Sequence, residues 1–172
     1  MQLCRPEPSY PTNAPIEALR TPELFVLSAA RHWVAPHRDP NGSHDDWRGI
    51  FRAAGIEEHG APSFHALFNL LGIAARTPLD VRCVRCARLG EDEAWLLQLI
   101  SLLQRDRVIE AVAILEHWLP RAAARIAYAH AGSFAAAMAG AKLIVPHRPP
   151  SEAAAAPLPQ QPRAHPALAL VH

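Results

Sequence analysis

The sequence predicts an all-α fold, a single domain of five to six helices in an orthogonal or bundle-like array. Three observations carry this. Helix-start signals recur along the chain, at Thr21-Pro22-Glu23, Asp45-Asp46, Glu91-Asp92-Glu93 and Pro120. The apolar residues after each recur at spacings of three and four. No segment alternates as a half-buried strand does, and no internal repeat is present.

The elements follow in order. Thr21 as N-cap, Pro22 in the first turn and Glu23 near the positive helix end predict a helix over 21–33 that stops before Pro36. Leu24, Leu27 and Ala30/Arg31 form its stripe, with Phe25 beside it. A second helix starts near Asp45-Asp46, carries Trp47, Ile50 and Phe51, and ends at Gly55. A third follows Ser63 and holds Phe64, Leu67, Phe68 and Leu71. Residues 77–89 break the pattern with Pro78, two cysteines and several arginines, which predicts a knuckle-like loop.

The helix over 91–104 opens with three carboxylates and is apolar nearly all round, so it is expected at the centre with partners on several sides. Asp106 is expected to cap the next helix, with Val108, Val112, Leu115 and Leu119 on its stripe. Pro120 opens the last helix, which ends near Gly140. Its Gly132, Ala136 and Gly140, four residues apart, predict tight approach to a neighbouring helix. The tryptophans Trp33, Trp47, Trp95 and Trp118 fall at core spacing and read as core or interface anchors.

Composition sets the limits. Of 172 residues, 50% are apolar and 19% charged, enough for one core. The domain is expected over 16–145. The proline-rich segment 1–15 and the tail 146–172, with seven prolines and an alanine run at 153–156, bury too little to offset their ordering entropy and are expected to be flexible. The net charge of +1 provides no general attraction to nucleic acid or anionic membrane. The basic residues are 16 arginines and the single Lys142, beside 33 alanines and 17 prolines. This bias reads as that of a GC-rich, bacterial genome, so arginine clusters weigh little. Three cysteines, with no leader-like apolar run in 1–15, argue against a secreted disulfide framework and set the cytoplasm as the expected compartment. The weakly polar stretch 122–145 is mostly alanine and contains Arg125, His130 and Lys142, so no membrane span is expected.

The chemistry-bearing feature is Cys83-Val84-Arg85-Cys86. Two thiols at this spacing can hold a metal ion or form one disulfide. Tetrahedral zinc needs two further ligands, and the H-x4-H pair His32 and His37 supplies them. The expected site is a structural zinc held by Cys83, Cys86, His32 and His37, stapling the first helix to the loop before the central one. A redox pair competes, although the βαβ context of a thioredoxin motif is missing. Arg76, Arg82, Arg85 and Arg88 against Asp80 make a basic patch without an interleaved aromatic for base stacking. Asp39, Asn41, Ser43 and Asp45 alternate as in a calcium loop. The glycine is displaced, however, and the twelfth position is Ile50, so a polar turn is expected instead. No catalytic motif is present. These features predict a non-enzymatic protein-interaction or regulatory module with a zinc clip and a protein partner. A DNA-binding regulator using the arginines and a CxxC thiol sensor stand as alternatives.

Overall fold

The computed structural model describes residues 9–11 and 13–148. The expected flexible segments are covered only where they meet the domain; 1–8 and 149–172, with Cys4, lie outside the described residues. After a 3-10 turn at Ile16–Ala18 come six helices: α1 Thr21–Arg38, α2 Arg48–Ala53, α3 Glu57–Ala74, α4 Glu91–Leu103, α5 Val108–Trp118 and α6 Arg121–Gly140. Among the described residues there is no strand, only an isolated bridge between Pro15 and Arg88. No helix is long and apolar enough to cross a membrane among those residues.

Two helices run through prolines expected to stop or precede them. Pro36 lies in the last turn of α1. It removes one amide donor, but that turn is held by side chains: within the helix His37 stacks on Trp33 at 4.2 Å, and from outside the Val81 carbonyl accepts from the Arg38 guanidinium. Pro62 lies inside α3, which starts at Glu57 rather than after Ser63. The carbonyl it leaves unpaired is that of Glu58, on an exposed face where water can satisfy it. Gly55, at φ 70°, ends α2 in the left-handed conformation that glycine adopts without strain.

Helix α4 is the central element expected from its all-round apolarity and contacts α1, α5 and α6. Trp95, Leu97, Leu99 and Ile100 are buried in its middle. The four tryptophans are all buried. Helix α3 packs along α6 in the most extensive helix pairing. Here Phe51, Phe64 and Phe134 meet with ring centroids 5.1–5.9 Å apart. The alanines Ala124, Ala127, Ala131 and Ala135 are buried on the same side of α6, where their short side chains let α3 lie close.

Three expected stripes differ in part or whole: Leu27, Ala30, Arg31, Leu115 and Leu119 are buried as expected, and other positions are not. Gly132, Ala136 and Gly140 do not carry a close helix approach: a Cβ on either glycine would meet nothing within 4 Å, and Ala136 and Gly140 line a groove shared with the first turn of α3. The larger, neighbouring set with Phe134 and Met138 takes the core instead. On α5 the buried face is Ala111, Ile114, Leu115 and Trp118, and Val108 is partly exposed. Asp106 does not cap α5. It takes φ 55° in the turn, with Arg107 as N-cap. On α1, Val26, Leu27, Ala30 and Arg31 are buried while Leu24 points outward.

The ordered body reaches beyond 16–145 at both ends. Tyr10 is buried, and its hydroxyl donates to Glu23 Oε1. Glu23 is itself fully buried and also accepts from the Arg20 amide and from Arg148 Nε at 2.9 Å. Arg148 lies over the Tyr10 ring. Gln104 receives the returning chain, donating to the Leu143 carbonyl and accepting from the Val145 amide. One buried carboxylate thus joins the two ends of the domain.

Candidate functional site

The segment 76–90 crosses from the end of α3 to the start of α4 with no regular structure, yet it is fastened along its length. The Arg76 amide donates to the Trp118 carbonyl. The Asp80 amide donates to Asp92 Oδ2, whose Oδ1 accepts from the Trp118 indole. The Leu89 amide donates to the Ala14 carbonyl and the Ile16 amide to the Ala87 carbonyl. Gly90 is required at its end, because a Cβ there would lie 2.5 Å from the Asp80 carbonyl oxygen.

The centre of this fastening is the Arg31–Glu93 ion pair. Arg31 is 3% exposed and Glu93 is 1%. Arg31 Nε and Nη2 reach the two Glu93 oxygens at 2.8 and 2.9 Å, a bidentate fork. The remaining guanidinium donors go to the loop: Nη1 to the Cys86 carbonyl at 2.6 Å and Nη2 to the Arg88 carbonyl at 2.8 Å. Each Glu93 oxygen also accepts a loop amide, Arg82 at 2.9 Å and Gly90 at 2.7 Å. Both charges are therefore compensated and hydrogen-bonded, the condition for burying them. The first carboxylates of α4 do more than complement the helix dipole: Asp92 and Glu93 hold the loop.

This pair occupies the place the sequence assigned to a zinc clip, joining α1 to the loop before α4. The four expected ligands are not gathered. Cys83 and Cys86 stand at the corners of one turn, closed by the Cys86 amide donating to the Cys83 carbonyl at 3.0 Å. Both thiols are free, Cys83 exposed and Cys86 half-buried. His32 and His37 are five residues apart, which places them about 140° apart around α1. His37 stacks on Trp33, and its Nδ1 bonds the Trp33 carbonyl. His32 bonds Ser28 and lines a groove that it shares with Val84, so it alone lies on the side of the turn. Among the described residues no group of three or more His, Cys, Asp and Glu side chains could hold a metal ion.

The arginine cluster is largely committed. Arg76 donates to the Glu116 carbonyl, Arg88 to the Asn13 carbonyl, and Arg82 pairs with Asp80 at 3.1 Å. Arg85 has no partner among the described residues. The residues 39–46 form a polar turn, with His44 Nε2 bonded to the Asp39 carbonyl at 2.7 Å and Asp46 accepting from the Arg48 amide.

Besides the groove that His32 shares with Val84, two larger ones flank the α1–loop seam. One, of about 330 Å³, lies between α1 and the turn of Cys83 and Cys86. The other, of about 440 Å³, lies between α1, α3 and Pro78 to Val81. Val34 and Arg38 border both. Beside the second lies an aromatic and histidine cluster. Trp33 Nε1 donates to His65 Nδ1 at 2.9 Å, and Trp47 stacks on the His65 ring at 5.6 Å. Burial, with Arg48 and His37 nearby, holds the His65 imidazole below its usual range. The Trp33 donor enforces the same state, since it needs an unprotonated Nδ1.

The Arg31–Glu93 pair was legible only as a misfit: a charge on the apolar stripe of α1 demands a buried partner. Nothing in the spacing identified Glu93, 62 residues away, as that partner. Compared with protein families, curated proteins and solved structures, the chain matches none.

Proposed function

We propose that this protein is a non-enzymatic interaction module whose contact element is the turn Arg82-Cys83-Val84-Arg85, held out from the α1–α4 seam. The observation that carries this reading is the use made of the buried ion pair. A buried pair is weak as a source of stability, because desolvation offsets most of the attraction. Here all four of its bonds outside the pair itself end on the backbone of one loop, whose tip is left exposed. Val84 is 41% exposed, an apolar side chain between two arginines on a fixed support. A rigid, exposed, mixed apolar and cationic turn suits a protein surface carrying acidic and apolar groups.

The test is selection of displayed peptides against the full chain. Enriched sequences should combine acidic and apolar residues, and Val84→Asp and Arg85→Glu should each abolish their binding without changing the thermal melt. Binders indifferent to both substitutions, or no enrichment, would sink the reading. A structural zinc remains part of it only with ligands from outside the described residues or from a partner. Elemental analysis of untagged protein decides this, with about one zinc per chain as the supporting result.

A second reading, a thiol sensor, rests on the turn itself. Its hydrogen bond closes a four-residue turn with Cys83 and Cys86 at the corners, and the ends of such a turn fall within the Cα range that a disulfide spans. Mild peroxide should then remove two hydrogens from the intact mass, reversibly with reductant; mixed or intermolecular products would exclude it. The DNA-binding reading retains Arg85 as its one uncommitted arginine in the cluster.

A further inference from the structure

We infer that the groove between α1 and the Cys83–Cys86 turn is a binding site for a small monocarboxylate with an apolar body. This goes beyond the interaction reading and does not depend on a protein partner.

The interior of the groove is apolar. Val34 and Ala35 form the α1 wall, one turn beyond Arg31, and Val84 faces them from the turn. Its volume, about 330 Å³, is at the small end of ligand sites and suits a body of roughly ten heavy atoms rather than a polymer.

The rim is cationic in a specific way. Arg31 lies at the base, but Glu93 neutralises it. Arg38 is tethered through one nitrogen to the neutral Val81 carbonyl and makes no ion pair among the described residues. Arg85 has no partner among the described residues. Arg82 gives one Nη to Asp80, while its Nε is buried with no acceptor. Arg82 Nε is closed off from solvent, so the anion-accepting edge of the groove is formed by Arg38 and Arg85.

The charge balance sets the class of anion. Arg38, Arg82 and Arg85 stand against Asp39 at the mouth and Asp80 on Arg82. The sum is three cations and two anions, +1. One carboxylate neutralises that excess, whereas a phosphate dianion overshoots it. A planar carboxylate also matches the guanidinium fork in a way a spherical anion does not. His44 is engaged with the Asp39 carbonyl and contributes no free donor through Nε2. The groove therefore offers an apolar slot with one anion-accepting edge.

The experiment is amide-resolved NMR on the full chain, titrated with sodium octanoate. Octan-1-ol tests the body without the charge, acetate the charge without the body, and inorganic phosphate the dianion. The expected result is saturable shifts at Val34, Ala35 and Val84 with octanoate, and binding at least about tenfold weaker for each control. Arg85→Gln should weaken octanoate by about tenfold and Val84→Asp should remove it. Both side chains are on the surface, so the fold is expected to persist. Ile109→Asp, at an exposed position on α5, should change nothing. Equal binding of octan-1-ol, tighter binding of phosphate at the same amides, or shifts confined to other surfaces would overturn the inference. So would the absence of saturable shifts. A failed peptide selection leaves these outcomes unchanged, so the two readings fail separately.

Discussion

The α3–α6 side and the α1–loop–α4 side of this domain are held by different forces. Where α3 meets α6 the contacts are rings beside alanines: Phe64 and Phe134, joined by Phe51 of α2, in edge and tilted arrangements near a small-residue helix face. Such packing is non-directional and adapts to modest changes of shape. On the other side, Arg31, Asp92 and Glu93 hold a loop through bonds of fixed length and direction. The difference teaches where precision is concentrated. The apolar side makes the body, and the polar side positions one turn.

The two largest effects should come one from each side. Glu93→Leu strands Arg31 and two loop amides, and should cost about 3–5 kcal/mol by chemical denaturation. Phe134→Ala should cost a similar amount, about 3–5 kcal/mol, through the cavity it leaves. Hydrogen exchange separates the two. Glu93→Leu should deprotect the Arg82, Cys86 and Gly90 amides beyond the global loss, while Phe134→Ala should lower protection evenly. Even loss in both would erase the proposed division of labour.

Gly90→Ala comes next, at about 1–3 kcal/mol, because its methyl meets the Asp80 carbonyl oxygen and the loop must shift. Calorimetric melting is the check, and an unchanged Tm would show the loop to be looser than its bonds indicate.

The acid response is smaller and separates the two buried clusters. Burial pushes the Glu23 carboxyl up, but hydrogen bonds from Arg148, Tyr10 and the Arg20 amide outweigh it and hold the pKa below the usual range. Its folded value is depressed, so its stabilisation is present above the unfolded pKa, near 4.3, and is lost as pH falls through the folded one. Tyr10→Phe should shrink this acid-side loss in a urea series. The folded value of His65 is also depressed. Stability should therefore begin to fall below about pH 6.5, earlier than the carboxylate step, and His65→Gln should remove that first decline.

Much of the fold was readable. The boundaries of α4 follow from three carboxylates and an apolar run, and its central place follows from having no polar face. Helices α1 and α3 were read too short because proline was taken as a stop. The sequence does not reveal that Arg38 and His37 hold the last turn of α1, or that Pro62 leaves only a solvent-facing carbonyl unpaired. The stripe on α5 was misplaced by including Val108 at the helix start, where the chain is still at the surface. At the candidate site, the expected set of four ligands is not gathered among the described residues, and the tie between α1 and the cysteine-bearing loop is an ion pair whose partners no local pattern connects.

The sequence by itself determined the helices, the central place of α4 and the loop that carries Cys83 and Cys86, because periodicity, caps and prolines act over a few residues. Only the tertiary structure decided what binds that loop to the body. Arg31 and Glu93 are 62 residues apart. Their pairing is imposed by burial, since a charge drawn into the core by its neighbours on α1 must meet its opposite there.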